Sequence, residues 1–152
     1  MKKKIRFIPR LDLKNDKLIK SIQLEGLRVI GSPYEYAYKY YKENADELIF
    51  LDSVASLYSR KSIISVINEV TKNIFIPITV GGGIRSLKDV ETLLTNGADK
   101  VAINTGAVEN PKLLSEISKK YGNSTLILSL EIIKVSENKW EILTNKGREK
   151  TG

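Results

Sequence analysis

Short apolar runs alternate with amphipathic segments along most of this chain of 152 residues. Four of these segments have the helical period of about 3.6 residues; they begin at Pro33, near Ser62, after Ser86 and at Asn110-Pro111. Five runs are typical of strands buried on both faces: Ile5 to Leu11, Glu47 to Leu51, Ile76 to Val80, Val101 to Ile103, and Thr125 to Leu130. The alternation predicts an α/β fold of right-handed βαβ units around a parallel sheet.

Two segments depart from this alternation. Residues 13 to 32 separate the first strand from the first helix, and we expect a long ordered loop over the strand ends. Residues 132 to 152 predict a hairpin of Ile132 to Val135 with Trp140 to Leu143, followed by a polar tail. Long loops on the carboxyl side of a parallel sheet commonly carry function.

The predicted strands end in polar residues or glycine, while their interiors are apolar. These ends are Asp12, Asp52, Gly81-Gly82-Gly83, Asn104-Thr105 and Glu131. Glycines let main-chain N–H groups approach an anion, and a following helix N-terminus adds a favourable dipole. Because Gly82 and Gly83 precede Asn104 and Thr105 by one βα unit, the two turns together predict a phosphate site.

Two carboxylates, Asp12 and Glu131, are candidates for general acid and base on opposite sides of the mouth formed by the strand ends. A helix cap or an ion pair with a lysine would explain either residue equally well. Asp52 fits an orienting or structural role better. Lys20 lies in the first long loop, where it is either a phosphate ligand or a solvated side chain.

Three further charged residues lie at or near the predicted strand starts, at the opposite end of the sheet: Arg6, Glu47 and Lys100. A charged cluster on that side usually indicates stability or a partner surface.

Composition narrows the chemistry. The chain has no cysteine and no histidine, which excludes disulfides, a cysteine nucleophile, serine–histidine catalysis and most zinc sites. We expect no metal and no cofactor. Acidic residues interleave with the basic ones, so the formal charge of +7 predicts solvated helix faces rather than a nucleic-acid surface. No apolar run approaches the roughly 20 residues of a membrane span, and we expect a cytoplasmic protein.

Four motifs resemble the cyclase subunit of imidazole glycerol phosphate synthase, and the similarity runs through the whole chain. They are Phe7-Ile8-Pro9-Arg10-Leu11-Asp12, Ala45 to Asp52, Thr79-Val80-Gly81-Gly82-Gly83-Ile84-Arg85, and Gly97 to Thr105. The resemblance implies a (β/α)₈ TIM barrel, of which residues 1–152 would be a single incomplete domain with about the first five strands and four helices.

In function, the resemblance implies a lyase of histidine biosynthesis. A glutaminase subunit supplies ammonia through the barrel, and the cyclase adds it to a bis-phosphorylated ribonucleotide. The products are imidazole glycerol phosphate and an aminoimidazole carboxamide ribotide. Truncation would leave the fragment inactive alone.

On the family pattern, Asp12 matches the first catalytic aspartate and Lys20 the loop lysine of the active site. Gly83, Asn104 and Thr105 match one phosphate site. Arg6, Glu47 and Lys100 match three residues of the charged ring at the ammonia entrance.

Two residues depart from the family pattern or stand out in the motifs. Glu131 stands where the family has its second catalytic aspartate, and Arg10 places a bulky cation beside Asp12. Both favour a related branch that passes ammonia to a surface-polysaccharide sugar. A third alternative is a non-catalytic module that docks the glutaminase or self-associates across exposed strand edges.

Overall fold

The computed structural model describes residues 5–22, 25–53, 61–145 and 147–152. The strands of this part are β1 (Arg10–Lys14), β2 (Lys17–Ile22), β3 (Glu25–Gly31), β4 (Leu48–Asp52), β5 (Ile78–Gly81), β6 (Lys100–Ile103), β7 (Leu126–Leu128), β8 (Glu131–Ser136), β9 (Lys139–Thr144) and β10 (Glu149–Lys150). The helices are α1 (Pro33–Lys42), α2 (Lys61–Val70), α3 (Leu87–Thr95), α4 (Thr105–Glu109) and α5 (Lys112–Tyr121).

Seven strands form one sheet in the order β3-β2-β1-β4-β5-β6-β7. The pairs β1–β4, β4–β5, β5–β6 and β6–β7 are parallel. At least one helix lies in the chain between each of these parallel strands and the next parallel strand. The predicted α/β class with a mainly parallel sheet is confirmed, and the arrangement is consistent with the TIM-barrel family. Strands β8 to β10 form a separate antiparallel sheet.

The four predicted helices are present, and local signals explain their limits. The Ser32 hydroxyl accepts a hydrogen bond from the Glu35 N–H at the start of α1, directly before Pro33. Ser86 and Asp89 form a capping box at the start of α3. No helix in the described part of the chain is long and apolar enough to cross a membrane.

One face of the parallel strands is buried under the helices. A row of aligned residues on that face runs across all five parallel strands: Leu11, Phe50, Val80, Val101 and Leu126. These side chains belong to the same apolar core as Ile67 of α2, Leu93 of α3 and Ile117 of α5. Because side chains alternate along a strand, the residues between them project to the opposite face.

The prediction of a long loop over residues 13 to 32 is wrong, because most of this segment forms the strands β2 and β3. Strand β1 turns back at Asn15, which has a φ of 57°, and pairs antiparallel with β2. Leu18 and Ile19 are 3% and 4% exposed. The two-residue turn between Lys14 and Lys17 was the local signal for this hairpin. The sheet therefore extends beyond β1. The side of β1 away from β4 is paired with β2 instead of forming an edge of the sheet.

Two predicted strands are shorter than expected. The first begins at Arg10 rather than Ile5, and Ile5 and Phe7 are 82% and 72% exposed. Pro9 has no N–H to donate to a ladder, which accounts for the late start. The fifth strand is limited to Leu126–Leu128. Leu128 and Leu130 are exposed, because β7 is an edge strand with β6 as its single neighbour in the sheet.

The hairpin predicted near the end is confirmed as β8 and β9, with Asn138 at a φ of 58° in its turn. The tail adds β10, which pairs with β9. The sequence pattern does not predict helix α4. It begins at Thr105, where the sequence predicts only a small polar turn.

Two aspartates fasten strand starts in the same way. Asp99, which precedes β6, accepts a hydrogen bond from the Ile78 N–H at 2.8 Å, and its own N–H donates to the Ile78 carbonyl at 2.8 Å. Asp46, just before β4, makes the same pair of bonds with Phe7, at 2.7 and 2.9 Å. Each Ala-Asp pair therefore aligns one strand start with its neighbour.

We expect Asp99→Ala to lower the free energy of unfolding by about 1–3 kcal/mol, because the buried Ile78 N–H loses its acceptor. Asp99→Asn retains an acceptor oxygen and should lose less than half as much. Urea denaturation followed by circular dichroism measures both. Glu69→Ala on the exposed side of α2 is the control, expected within about 0.5 kcal/mol of the parent. An equal loss for the alanine and asparagine variants would contradict the assignment.

Candidate functional site

The face of the sheet that points away from the helices carries the candidate acid or base. Asp12 lies in the middle of β1 rather than at its end, but the parallel pairing with β4 stops one residue later, at Leu13 and Asp52. Asp12 therefore lies at the carboxyl end of the parallel region, as the sequence predicts. Its row continues through Leu51, Gly81, Ala102 and Ile127, none of which is charged.

Arg10 and Asp12 share this face because they are two residues apart on one strand. The Arg10 Nε donates to Asp12 Oδ1 at 2.8 Å. The Asp12 side chain is 30% exposed and the Arg10 side chain 45% exposed. The carboxylate is thus accessible and already bonded through one oxygen.

Lys20 lies close to Asp12 because the antiparallel pairing brings β2 beside β1. Asp12 is opposite Ile19, the residue before Lys20. Both charged residues line a cleft of about 220 Å³, together with Arg10 and the aromatic side chains Tyr36 and Tyr40. Both residues therefore lie at one cleft, but the alternation along β2 directs the Lys20 side chain to the face opposite Asp12, because Ile19 is the residue paired with Asp12.

The glycine turn after β5 requires glycine for conformation and for space. Gly82 and Gly83 have φ values of 113° and 61°, in the left-handed region that side chains disfavour. A Cβ on Gly82 would also collide with the Asp52 carbonyl oxygen. Asp52 is itself buried, 7% exposed, so it lies beneath the turn and fits the orienting role better than direct contact with a ligand.

The second predicted anion-binding turn packs directly against the first. A Cβ on Gly106 in α4 would collide with the carbonyl oxygen of Ile84. The residues after β5 and the start of α4 are therefore in contact, and the two turns singled out in the sequence lie side by side.

Asn104 and Thr105 both contact the β8–β9 hairpin. The Asn104 Nδ2 donates to the Leu143 carbonyl at 3.0 Å, and the Asn145 N–H donates to the Thr105 Oγ1 at 3.1 Å. Because the threonine hydroxyl accepts this bond, its own proton remains available for an anion. Sequence reasoning missed these contacts, since nothing local links residues about forty positions apart.

Glu131 begins β8 instead of ending β7, because β7 stops at Leu128. It pairs with Leu143 of β9, the residue whose carbonyl accepts from Asn104. The Glu131 Oε2 is buried and has no hydrogen-bond partner among the described residues. Glu131 therefore lies beside the Asn104 turn. Asp12 is on β1, and the strands β4, β5 and β6 lie between β1 and β7, the strand that precedes Glu131.

The three charged residues at the strand starts form one cluster. Glu47 is 6% exposed. One of its oxygens accepts a hydrogen bond from Arg6, and the other accepts from Lys100 Nζ at 2.7 Å. Arg6 and Lys100 are 41 and 53 residues from Glu47 in sequence, so folding brings all three together at the amino end of the strands.

Similarity to known proteins agrees with this geometry. Residues 6–152 match the family model described as histidine biosynthesis protein. The chain is 53% identical over 148 residues to the imidazole glycerol phosphate synthase subunit HisF of Legionella pneumophila, covering 97% of this chain and 70% of that protein. It is 44% identical over 147 residues to the subunits of the same name from Bacillus cereus strains AH187 and Q1, covering 97% of this chain.

The chain spans 58% of the length of the two Bacillus proteins. The match includes the glycine turn, the candidate carboxylates and the charged cluster, since all of them lie within the matched residues. The chain belongs to the histidine biosynthesis protein family, and within it to the family of the imidazole glycerol phosphate synthase cyclase subunit.

Proposed function

We propose that this chain carries the acid/base residue and one phosphate site of a cyclase that takes ammonia from a glutaminase subunit. The substrate is a bis-phosphorylated ribonucleotide, and the products are imidazole glycerol phosphate and an aminoimidazole carboxamide ribotide. The observation that carries the proposal is the Arg6–Glu47–Lys100 cluster, which lies at the opposite end of the same strands from Asp12. This arrangement suits ammonia entering at one end and substrate binding at the other.

The mouth end provides the groups that the chemistry needs. Asp12 has one oxygen bonded to Arg10 and, among the described residues, no partner for the other, which is available for proton transfer with substrate. The turn at Gly82 and Gly83 lies beside Thr105, whose hydroxyl oxygen accepts from the Asn145 N–H and whose hydroxyl proton can be donated to an anion. The Thr105 hydroxyl and this turn hold one phosphate, and Lys20 lines the cleft next to Asp12.

The amino end of the strands holds a buried charge, that of Glu47. Glu47 is paired with two cations, and at least one is required because a buried carboxylate without any partner is strongly destabilised. The two ion pairs link three strand starts at the amino end of the strands. We propose that this cluster controls ammonia entry.

The apolar side chains around the entrance fit a protein partner. Ile5, Phe7 and Phe75 are 82%, 72% and 78% exposed. Phe7 is bonded to Asp46, and Phe75 lies two residues before Pro77, whose carbonyl accepts from the Leu48 N–H. We propose that the glutaminase docks on this apolar surface, where exposed aromatic residues are common anchors.

A second candidate function is amidation of a surface-polysaccharide sugar by the same ammonia route. It is favoured by the Arg10–Asp12 ion pair and by Glu131 in place of the family's aspartate. Incubating the intact protein with ammonium chloride and the ribonucleotide intermediate separates the two. Formation of imidazole glycerol phosphate supports the first function, and its absence under conditions where the protein is folded favours the second.

We expect Asp12→Asn in the intact protein to reduce ammonium-dependent turnover by about 100-fold to 10,000-fold, the usual contribution of a general acid or base. The circular dichroism spectrum should not change, because the carboxylate is partly exposed. Asp16→Asn in the β1–β2 turn is the matched control and should keep turnover. Near-normal turnover of Asp12→Asn would remove Asp12 from the chemistry.

Arg6→Met should separate ammonia delivery from cyclisation. Glu47 keeps its bond to Lys100, so the protein should remain folded, but the entrance loses one of its closing groups. We expect glutamine-dependent turnover to fall about 5-fold or more, while turnover with ammonium chloride changes less than about 2-fold, since delivery and chemistry are separate steps. Lys119→Met, exposed on α5, is the control. Equal losses with both nitrogen sources would contradict a gating role.

Phe75→Asp should weaken binding of the glutaminase subunit by about 10-fold or more, measured by isothermal titration calorimetry, because it places a charge in an apolar contact. Trp140→Asp on the hairpin is the matched control. Trp140 is also exposed, at 54%, but lies outside the entrance, so its affinity should match the parent. If both variants bind equally well, the docking surface lies elsewhere.

A further inference from the structure

We propose that Arg10 is a positioning residue, which holds the Asp12 carboxylate in one orientation so that its second oxygen faces the substrate. This inference rests on the proposed function of Asp12 as acid or base. It assigns a task to a residue that is unusual inside a β-strand.

The surroundings of Asp12 leave Arg10 as the group that orients it. The residues beside Asp12 on the neighbouring strands are Ile19 on β2 and Leu51 on β4. Neither side chain forms hydrogen bonds. Beyond Leu51 the row continues with Gly81 and Ala102. Among the described residues, the Arg10 guanidinium is therefore the recorded hydrogen-bond partner of this carboxylate.

The geometry of the contact favours orientation over simple charge neutralisation. The bond uses Nε, the donor nearest the backbone, at 2.8 Å from Oδ1. Both residues lie on one strand that is paired on both sides and have the same side-chain direction, so the two members of the ion pair are attached to the same backbone. With Oδ1 bonded to Arg10, Oδ2 is the oxygen that remains for the substrate.

The charged residues around Arg10 also support its pairing with Asp12. Its own row runs from Ile49 through Thr79 to Lys100, so its nearest neighbour in the row is apolar. Lys100 is bonded to Glu47 instead. Among the described residues, Arg10 forms its ion pair with Asp12. This pair shares no residue with the cluster of Arg6, Glu47 and Lys100.

The first test measures orientation directly and needs no activity. Three-bond NMR couplings from the Asp12 Cγ to its backbone nitrogen and carbonyl carbon report the side-chain rotamer. We expect the parent chain to show the couplings of one staggered rotamer. Arg10→Met, which keeps the length but not the donor, should show averaged couplings with unchanged amide shifts in β4 to β6. A single fixed rotamer in Arg10→Met would overturn the proposal.

The second test distinguishes positioning from substrate binding. In the intact protein with ammonium chloride, Arg10→Met should lower kcat about 10-fold or more and leave KM within about 3-fold, because misplaced groups mainly cost rate. A raised KM with unchanged kcat, or no change in either, would overturn the positioning role. Arg28→Met, an exposed arginine on β3, is the matched control and should behave as the parent.

Failure of this inference differs from failure of the proposed function. If Asp12→Asn is inactive while Arg10→Met has normal kcat and a fixed Asp12 rotamer, the acid/base role stands and the positioning role falls. If Asp12→Asn is fully active, the proposed function falls. The coupling measurement still decides whether Arg10 orients the carboxylate.

Discussion

Burial of one face of the parallel sheet under its helices determines where every candidate functional residue lies. Leu11, Phe50, Val80 and Val101 form an aligned apolar row against the helices. Because side chains alternate, Asp12, Gly81 and Lys100 must project to the other face. A shift of one residue in β1 would exchange the core residue Leu11 for Arg10 or Asp12. The hydrophobic core thus fixes the site's position without contacting a ligand.

Sequence reasoning works well where the signal is local. Ser32-Pro33 and Ser86 with Asp89 mark helix starts through hydrogen bonds within three residues, so α1 and α3 are readable from the chain. The glycine turn is readable for the same reason, since its residues need positive φ values. The common direction of parallel strands also predicts that Asp12 and Glu47 lie at opposite ends of the sheet, because all strand starts lie at one end and all strand ends at the other.

Contacts between distant segments are not readable in this way. The bonds from the hairpin to Asn104 and Thr105 join residues 39 and 40 positions apart, and no local pattern records them. Glu131 shows the same limit. Its sequence position follows an apolar run, but the edge strand ends early at Leu128, and the residue becomes the start of a hairpin. The hairpin within residues 13 to 32 is hard to predict because the two-residue turn at Asn15 and Asp16 is a weaker local signal than the apolar runs around it.

The matched bonds of Asp46 and Asp99 have a consequence for how the sheet assembles. Asp99 bonds to Ile78 of β5, and Asp46 bonds to Phe7 in the segment that leads into β1, so each pair of bonds favours one alignment of two neighbouring strands. A pair that docks one residue out of step loses both bonds of its aspartate as well as its apolar contacts. Misalignment is therefore penalised within each pair, independently of the alignment of the other strands.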